Sequence, residues 1–360
     1  MCNSISPIQC IIPPYMKKKL VDESRHSMAS FEIHSGTSNI DDKLRAKRDQ
    51  VSKMIREARS GRLRLSFLGA SKVKAKKNRE VYTAENKEVE PGKLVRKEGG
   101  RVSSDKDVNN VYDGAGYTWD FYNSLFGRNS IDNRGLKIIQ TVHYASKYSN
   151  AFWDGSQMVY GDGDGQIFAS FTGDIDIIGH ELTHGVVQYE CNLDYQGQSG
   201  ALNESLADIF GIMIKQKALK QTVATSDWLI GENVLIGNDF AIRSLKAPGT
   251  AYVNHPRLGT DPQPDNMKGY TDDPTDNGGV HLNSGIPNHA FYLAALEIGG
   301  NAWEKTGKIW YGAMCDTKAV KNNASFADFK KATVAQAKKL FKTDKKIAEA
   351  VTKAWKAVGV

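Results

Sequence analysis

Cysteine is scarce in this chain. Cys2, Cys10, Cys191 and Cys315 are the only four in 360 residues, too few and too scattered for a disulfide framework, and compatible with a reducing compartment. No run of about 18 apolar residues occurs, which excludes a membrane-spanning helix. The first ten residues lack the positive charge and unbroken apolar core of a secretory signal. No internal repeat is present. The net charge is +7, yet the basic excess is confined to the first 80 residues and the remainder is slightly acidic. No groove-reading motif accompanies that charge, so a solvated front segment is expected rather than a nucleic-acid partner. The length allows two or three domains and an ample core.

What is present centres on His180-Glu181-Leu182-Thr183-His184. On a helix, positions i and i+4 share a face, so the two imidazoles can grip one metal ion with Glu181 beside them. Ile175, Ile177, Ile178, Leu182, Val186 and Val187 surround the histidines with apolar residues. Much of this helix should therefore be buried, and buried histidines and a glutamate need a partner. A divalent cation would supply one. Asp174 and Asp176 lie near the helix start, where carboxylates suit the dipole.

A hydrolytic zinc site takes three protein ligands and leaves the fourth position to water. Glu204 and Asp208 lie four apart on a second helical stretch, Gly200 to Phe210. Glu204 is the candidate third ligand. Asp208 is the candidate acceptor that orients one imidazole, with Asn203 beside it. Taken alone, this pair would be a solvated helix edge.

Together these strings resemble the thermolysin-type neutral metalloproteases from about Val108 to Val360. Asn150-Ala151-Phe152-Trp153 and Met158 to Gly165 resemble the family's substrate-binding edge strand and the turn behind it. Asp276-Asn277-Gly278-Gly279-Val280-His281-Leu282-Asn283-Ser284-Gly285 resembles its second catalytic segment. The resemblance implies zinc-assisted hydrolysis of protein or peptide substrates. Glu181 would be the general base, His281 and Tyr195 the oxyanion donors, and Asp276 the partner of His281. It further implies that Arg243, Asn150 and Ala151 hold substrate backbone. Phe168, Phe171, Ile177 and Ile242 would line the pocket for the residue after the cut bond, giving cleavage before large hydrophobic residues.

Many relatives hold two calcium ions beside the zinc helix. Asp176, Asp227 and Glu232 match that cluster, but Lys215 and Leu229 depart from it, so one calcium ion or none is expected. Asp162-Gly163-Asp164-Gly165 is no EF-hand, because the twelfth position from Asp162 is Gly173.

The opening, Ser6 to Tyr15, resembles the start of the short propeptide in protealysin-like members. That implies a precursor whose front segment shields the cleft as an intramolecular inhibitor and leaves by self-cleavage in or near Arg56–Arg79. Cys10 would either pack in an apolar patch or ligate zinc as a thiolate. Asp41 to Ser60 reads as a helix.

The expected architecture is α+β with two lobes. Residues 1–65 are the propeptide, 66–190 a β-rich N-terminal lobe ending in the zinc helix, and 191–360 a mainly helical C-terminal lobe. Residues 66–170 read as antiparallel strands. Helices are expected over Asn288–Ile298, Trp303–Asp316, Phe326–Phe341 and Lys345–Val358. A monomer is expected, released by a route without a visible signal, with a cytoplasmic location as the alternative. Two readings of other kinds are a catalytically silent binding protein on this fold and a zinc aminopeptidase. The latter would need an acidic anchor for a free amino terminus.

Overall fold

The computed structural model describes residues 9–24, 27–28, 30–41, 75–237 and 240–360. In chain order, strand β1 (Gln9–Cys10) and helix α1 (Pro14–Glu23) come from the front segment, as does helix α2 (residues 30–41). Strands β2 (Arg79–Thr83) and β3 (Lys93–Lys97) follow, then helix α3 (Lys106–Phe126). Next are β4 (Ile138–Val142), β5 (Ala151–Trp153) and β6 (Met158–Tyr160). Helices α4 (Ile175–Tyr189) and α5 (Gly197–Ala218) lead into the second half. There β7 (Leu229–Ile230) pairs antiparallel with β8 (Arg243–Ser244). Helices α6 (Val280–Asn283), α7 (Gly285–Ile298), α8 (Thr306–Met314), α9 (Phe326–Leu340) and α10 (Lys345–Ala357) complete the chain.

The first half holds a six-stranded sheet in the order β1-β5-β6-β4-β2-β3. This sheet is mixed: β2 with β4 and β4 with β6 are parallel, which corrects the expectation of antiparallel strands throughout. The expectation also overlooked α3. Its signals are local, since Asp105 accepts from the N–H groups of Asp107 and Val108 and Gly127 ends the helix at φ 66°. The intervening Asn, Gly and aromatic residues imitate strand and turn punctuation. Val108, Val111, Ala115, Trp119 and Tyr122 nevertheless bury one helical face. Asp41 is the last described residue of a helix over residues 30–41, N-terminal to the one expected from Asp41 on. Most of the helix expected over Asp41–Ser60, and the proposed cleavage stretch up to Lys74, lie outside the described residues.

The second half is helical, and its four late helices fall within three residues of the expected bounds. Among the described residues no helix is long and apolar enough to cross a membrane. Helix α4 lies between the sheet and the helical half, against β5 on one side and α5 on the other.

Two glycines set the approach of α4 to α5. A Cβ on Gly211 would come within 2.6 Å of the Asp176 carbonyl oxygen and 3.0 Å of the His180 amide nitrogen. One on Gly179 would meet the Gly211 Cα at 3.1 Å. With both side chains absent the backbones nearly touch, and acidic groups on α5 reach imidazoles on α4.

Candidate metal centre and cleft

His180 and His184 stand on one face of α4, fully buried, and Glu204 faces them from α5, also fully buried. The His180 Nδ1–H donates to Asp208 Oδ1 at 2.8 Å. Burial alone would raise the pKa of Asp208, but the Arg243 guanidinium and His180 hold it well below the usual carboxylate range. It is therefore an acceptor, and the proton must be on Nδ1. The Asn203 amide donates through Nδ2 to the Leu193 carbonyl at 3.3 Å, so its Oδ1 turns to His184 Nδ1 at 2.9 Å. That fixes the second tautomer in the same way.

Both Nε2 lone pairs consequently point at one spot. The two nitrogens are 2.9 Å apart, with Glu204 oxygens 3.6 Å from His180 and 3.4 Å from His184. Glu204 Oε2 is buried without a hydrogen-bond partner. Two imidazole lone pairs and a carboxylate aimed at each other in a dry interior repel unless a cation lies between them. An ion ~2 Å from each donor answers that need. The donor set fits zinc, and these three residues form one of two such clusters among the described residues.

Glu181, on the same helix, accepts from the Trp153 backbone N–H of β5 at 3.0 Å. That bond holds its carboxylate against β5, the strand that pairs with β1.

His281 enters from the other side. Asn277, Gly278 and Gly279 all take positive φ, at 53°, 78° and 75°, and this left-handed run turns the chain so that Asp276 faces His281. Asp276 Oδ1 accepts from Nδ1 at 2.5 Å, and Oδ2 accepts from the His281 backbone N–H at 2.8 Å. Burial disfavours a charged imidazole, but the Asp276 and Glu204 carboxylates outweigh it and raise the His281 pKa well above its ordinary value. The Tyr195 hydroxyl donates to Glu204 and lies 3.1 Å from His281 Nε2. Tyr195, His281 and the metal cluster thus share one spot.

Arg243, on β8, makes a two-point contact with Asp208, through Nε and Nη2, each at 2.8 Å. Asn288 on α7 adds a fourth donor group to that carboxylate, after His180 and the two of Arg243, at 2.9 Å. Neither link was read from the sequence: 35 and 80 residues separate the partners. Phe168, Phe171, Ile177 and Ile242 are all buried in one apolar cluster that also contains Ile11. The Phe168 and Phe171 rings lie 5.8 Å apart.

The front segment occupies the cleft. β1 runs antiparallel to β5, pairing Gln9 with Trp153 and Cys10 with Phe152. His281 Nε2 meets the Cys10 carbonyl oxygen at 3.1 Å. The next residue, Ile11, donates its N–H to the Ala151 carbonyl at 3.2 Å and accepts from Arg243 Nη1 at 2.9 Å. The Ile12 N–H donates to Asn150 Oδ1 at 3.1 Å. The Cys10 thiol turns away, donating to the Ile12 carbonyl at 3.4 Å, in an apolar cluster with Tyr144, Tyr148 and Phe152. Of the two roles considered for Cys10, apolar packing is the one observed, because its backbone takes the place beside the metal cluster.

The three acids matched to a calcium cluster surround an ammonium instead. Lys215 Nζ lies 3.2 Å from Asp176, 3.0 Å from Asp227 and 3.6 Å from Glu232. Burial would strip the lysine of its proton, but these carboxylates raise its pKa above the ordinary value. Burial in turn raises the Asp176 pKa. Burial and neighbouring Asp176 push Asp174 up to about 7. Asp174 accepts from Asn233 and makes no side-chain cap to α4.

Residues 60–188 match the family model described as the thermolysin metallopeptidase catalytic domain, and residues 191–360 that of its alpha-helical domain. The chain is 43% identical over 360 residues to a protein named extracellular metalloprotease from Pectobacterium carotovorum subsp. carotovorum, covering 98% of this chain and 97% of the relative. It is 48% identical over 287 residues to Protease PrtS of a Photorhabdus species, covering 79% of this chain and 76% of that protein. Among solved structures it is similar to the precursor of protealysin, a metalloproteinase from Serratia proteamaculans. That match has 45% identity and a TM-score of 0.84, over 98% of this chain and 99% of the other.

Proposed function

The chain belongs to the thermolysin metallopeptidase family and is a zinc metalloendopeptidase acting on peptide substrates; from that premise we propose that it is a self-processing zymogen whose front segment lies in the cleft as a substrate would. The observation that carries this reading is the set of four backbone contacts made by Cys10, Ile11 and Ile12 to His281, Ala151, Arg243 and Asn150. They align the Cys10 carbonyl with the oxyanion donors, and Ile11 with the position after the cut bond.

When bound by His180, His184 and Glu204, zinc supplies Lewis acidity for water and for the scissile carbonyl. Glu181 accepts the proton of the attacking water and delivers it to the leaving amine. His281 and Tyr195 donate to the developing oxyanion, with Asp276 fixing the His281 ring. Arg243 and Asn150 hold the carbonyl and the N–H of the two residues after the cut, and the Ala151 carbonyl takes the N–H of the first. Asp208 and Asn203 position the metal-binding rings, and Asp208 also positions Arg243. Phe168, Phe171, Ile177 and Ile242 form an apolar pocket that selects large hydrophobic residues, and the isoleucine at position 11 suits it. Lys215 takes the place of a calcium ion among Asp176, Asp227 and Glu232, so the protein needs no calcium there. The name of the Pectobacterium relative supports secretion, here as a monomer.

The test is an internally quenched peptide with a Phe-Leu centre, digested by the full chain during incubation, with zinc content and protein mass followed in parallel. The reading requires cleavage before Leu, a growing rate as mass falls, and loss of both on chelation. A chain that holds zinc and cleaves at its full rate from the first minute, with mass unchanged, would refute the zymogen.

A further inference from the structure

Beside the cleft the front segment presents a buried ion pair. Asp41 is fully buried, and Lys17 on α1, itself buried, pairs with its carboxylate. The other two contacts come from outside the front segment. The Tyr148 hydroxyl donates to Oδ1 at 2.5 Å, and Asn150 Nδ2 donates to Oδ2 at 3.0 Å. The Asn150 amide is therefore used at both ends. Its oxygen accepts from the Ile12 N–H while its nitrogen holds Asp41. The Tyr148 ring is fixed against Tyr144 and Phe152, with centroids 5.5 and 6.1 Å away.

The anion and its counter-charge both belong to the front segment. What the cleft itself contributes is two neutral donors, Tyr148 and Asn150, 1% exposed or less while the front segment covers them. Both aim at one carboxylate, so a single acceptor satisfies the two together. We infer that Tyr148 and Asn150 form a subsite that reads an sp² oxygen on the substrate. The oxygen belongs to an Asp, Asn, Glu or Gln side chain two or three residues after the cut bond, and Asp41 fills the subsite until the front segment departs. This rests on the zymogen reading above. Asn150 also touches substrate backbone; Tyr148 is the residue that adds the side-chain preference.

The experiment uses the full chain incubated to constant activity, as parent and as Tyr148→Phe. Three quenched peptides share one Phe-Leu centre and carry Leu, Asn or Asp at the second residue after the cut, with a parallel set varied at the third. In the parent, KM for the Asn or Asp peptide at one of the two positions should fall below that for Leu by about five- to tenfold, the worth of one good hydrogen bond. That ratio should shrink toward unity in Tyr148→Phe, while the kcat ratios hold. A preference for Asp over Asn assigns the subsite to carboxylates, and equal values assign it to carbonyl oxygen. Equal KM across both sets in the parent, or a preference that survives Tyr148→Phe, overturns the subsite and leaves the peptidase reading intact. No cleavage of any peptide overturns that reading instead. Should Tyr148→Phe fail to fold, the parent series alone decides.

Discussion

The α4–α5 interface carries two clusters of like ingredients with opposite solutions. One turn apart on α4, His180 and Asp176 each face α5. Around His180 the donors converge on a point that no lysine or arginine among the described residues fills. Around Asp176 the chain supplies its own cation, Lys215, on a flexible stem. The difference lies in what the cation must do. A lysine neutralises carboxylates but has no coordination position at which to bind and acidify a water. An exchangeable ion can neutralise the carboxylate and activate water as well, at the cost of dependence on supply.

The sharpest way to break the comparison is to remove the ions. Chelation should abolish peptide hydrolysis, and zinc alone should restore it, while added calcium leaves Tm unmoved; a calcium requirement would mean that Lys215 does not substitute for the ion. Next in size, Glu181→Ala should lower kcat by about 10²- to 10⁴-fold and stop self-trimming, with zinc content unchanged in elemental analysis. On the other side of the comparison, Lys215→Met should destabilise the fold by about 3–5 kcal/mol in denaturant titration, because three carboxylates lose their cation. That variant should also acquire a calcium-dependent Tm. Gly211→Ala should cost about 1–3 kcal/mol by forcing α4 from α5, and zinc affinity should fall with it.

The smallest effect concerns a third internal cation. His143 sits between Asp162 at 2.8 Å and Asp105 at 2.9 Å. The Asp162 hydrogen bond, with Asp105 and against burial, raises its pKa to about 9. The folded value is above the unfolded one, so this stabilisation is fully present below about pH 6.5. It is lost as pH rises through about 9. Unlike Lys215, this cation titrates within reach, and His143→Gln should flatten the stability profile across that window.

Local spacing made the metal cluster legible in the sequence. Histidines four apart and a glutamate 20 residues on need only two helices to meet, and the glycines that let them meet carry no chemistry of their own. The roles expected for Arg243 and Tyr195 rest on resemblance to the family alone, whereas His281 has Asp276 five residues before it and Asn283-Ser284-Gly285 after it. The contacts that escaped are those between distant positions. Asp41 meets Tyr148 across 107 residues and Asn150 across 109, and no periodicity records such a meeting. Helix α3 escaped for another reason. Its cap and stop were visible at Asp105 and Gly127, but Gly114 and Gly116, which allow Ile178 and Arg79 to approach closely, read locally as breakers.

The pairing of β1 with β5 bears on how selective such a catalyst can be. An open sheet margin recognises any extended polypeptide through its amides and carbonyls, indifferent to side chains, and it would adhere to neighbouring molecules as readily as to food. Here β1 covers that margin with a strand of the same chain, and on the zymogen proposal its departure would leave discrimination between peptides to the few pockets alongside.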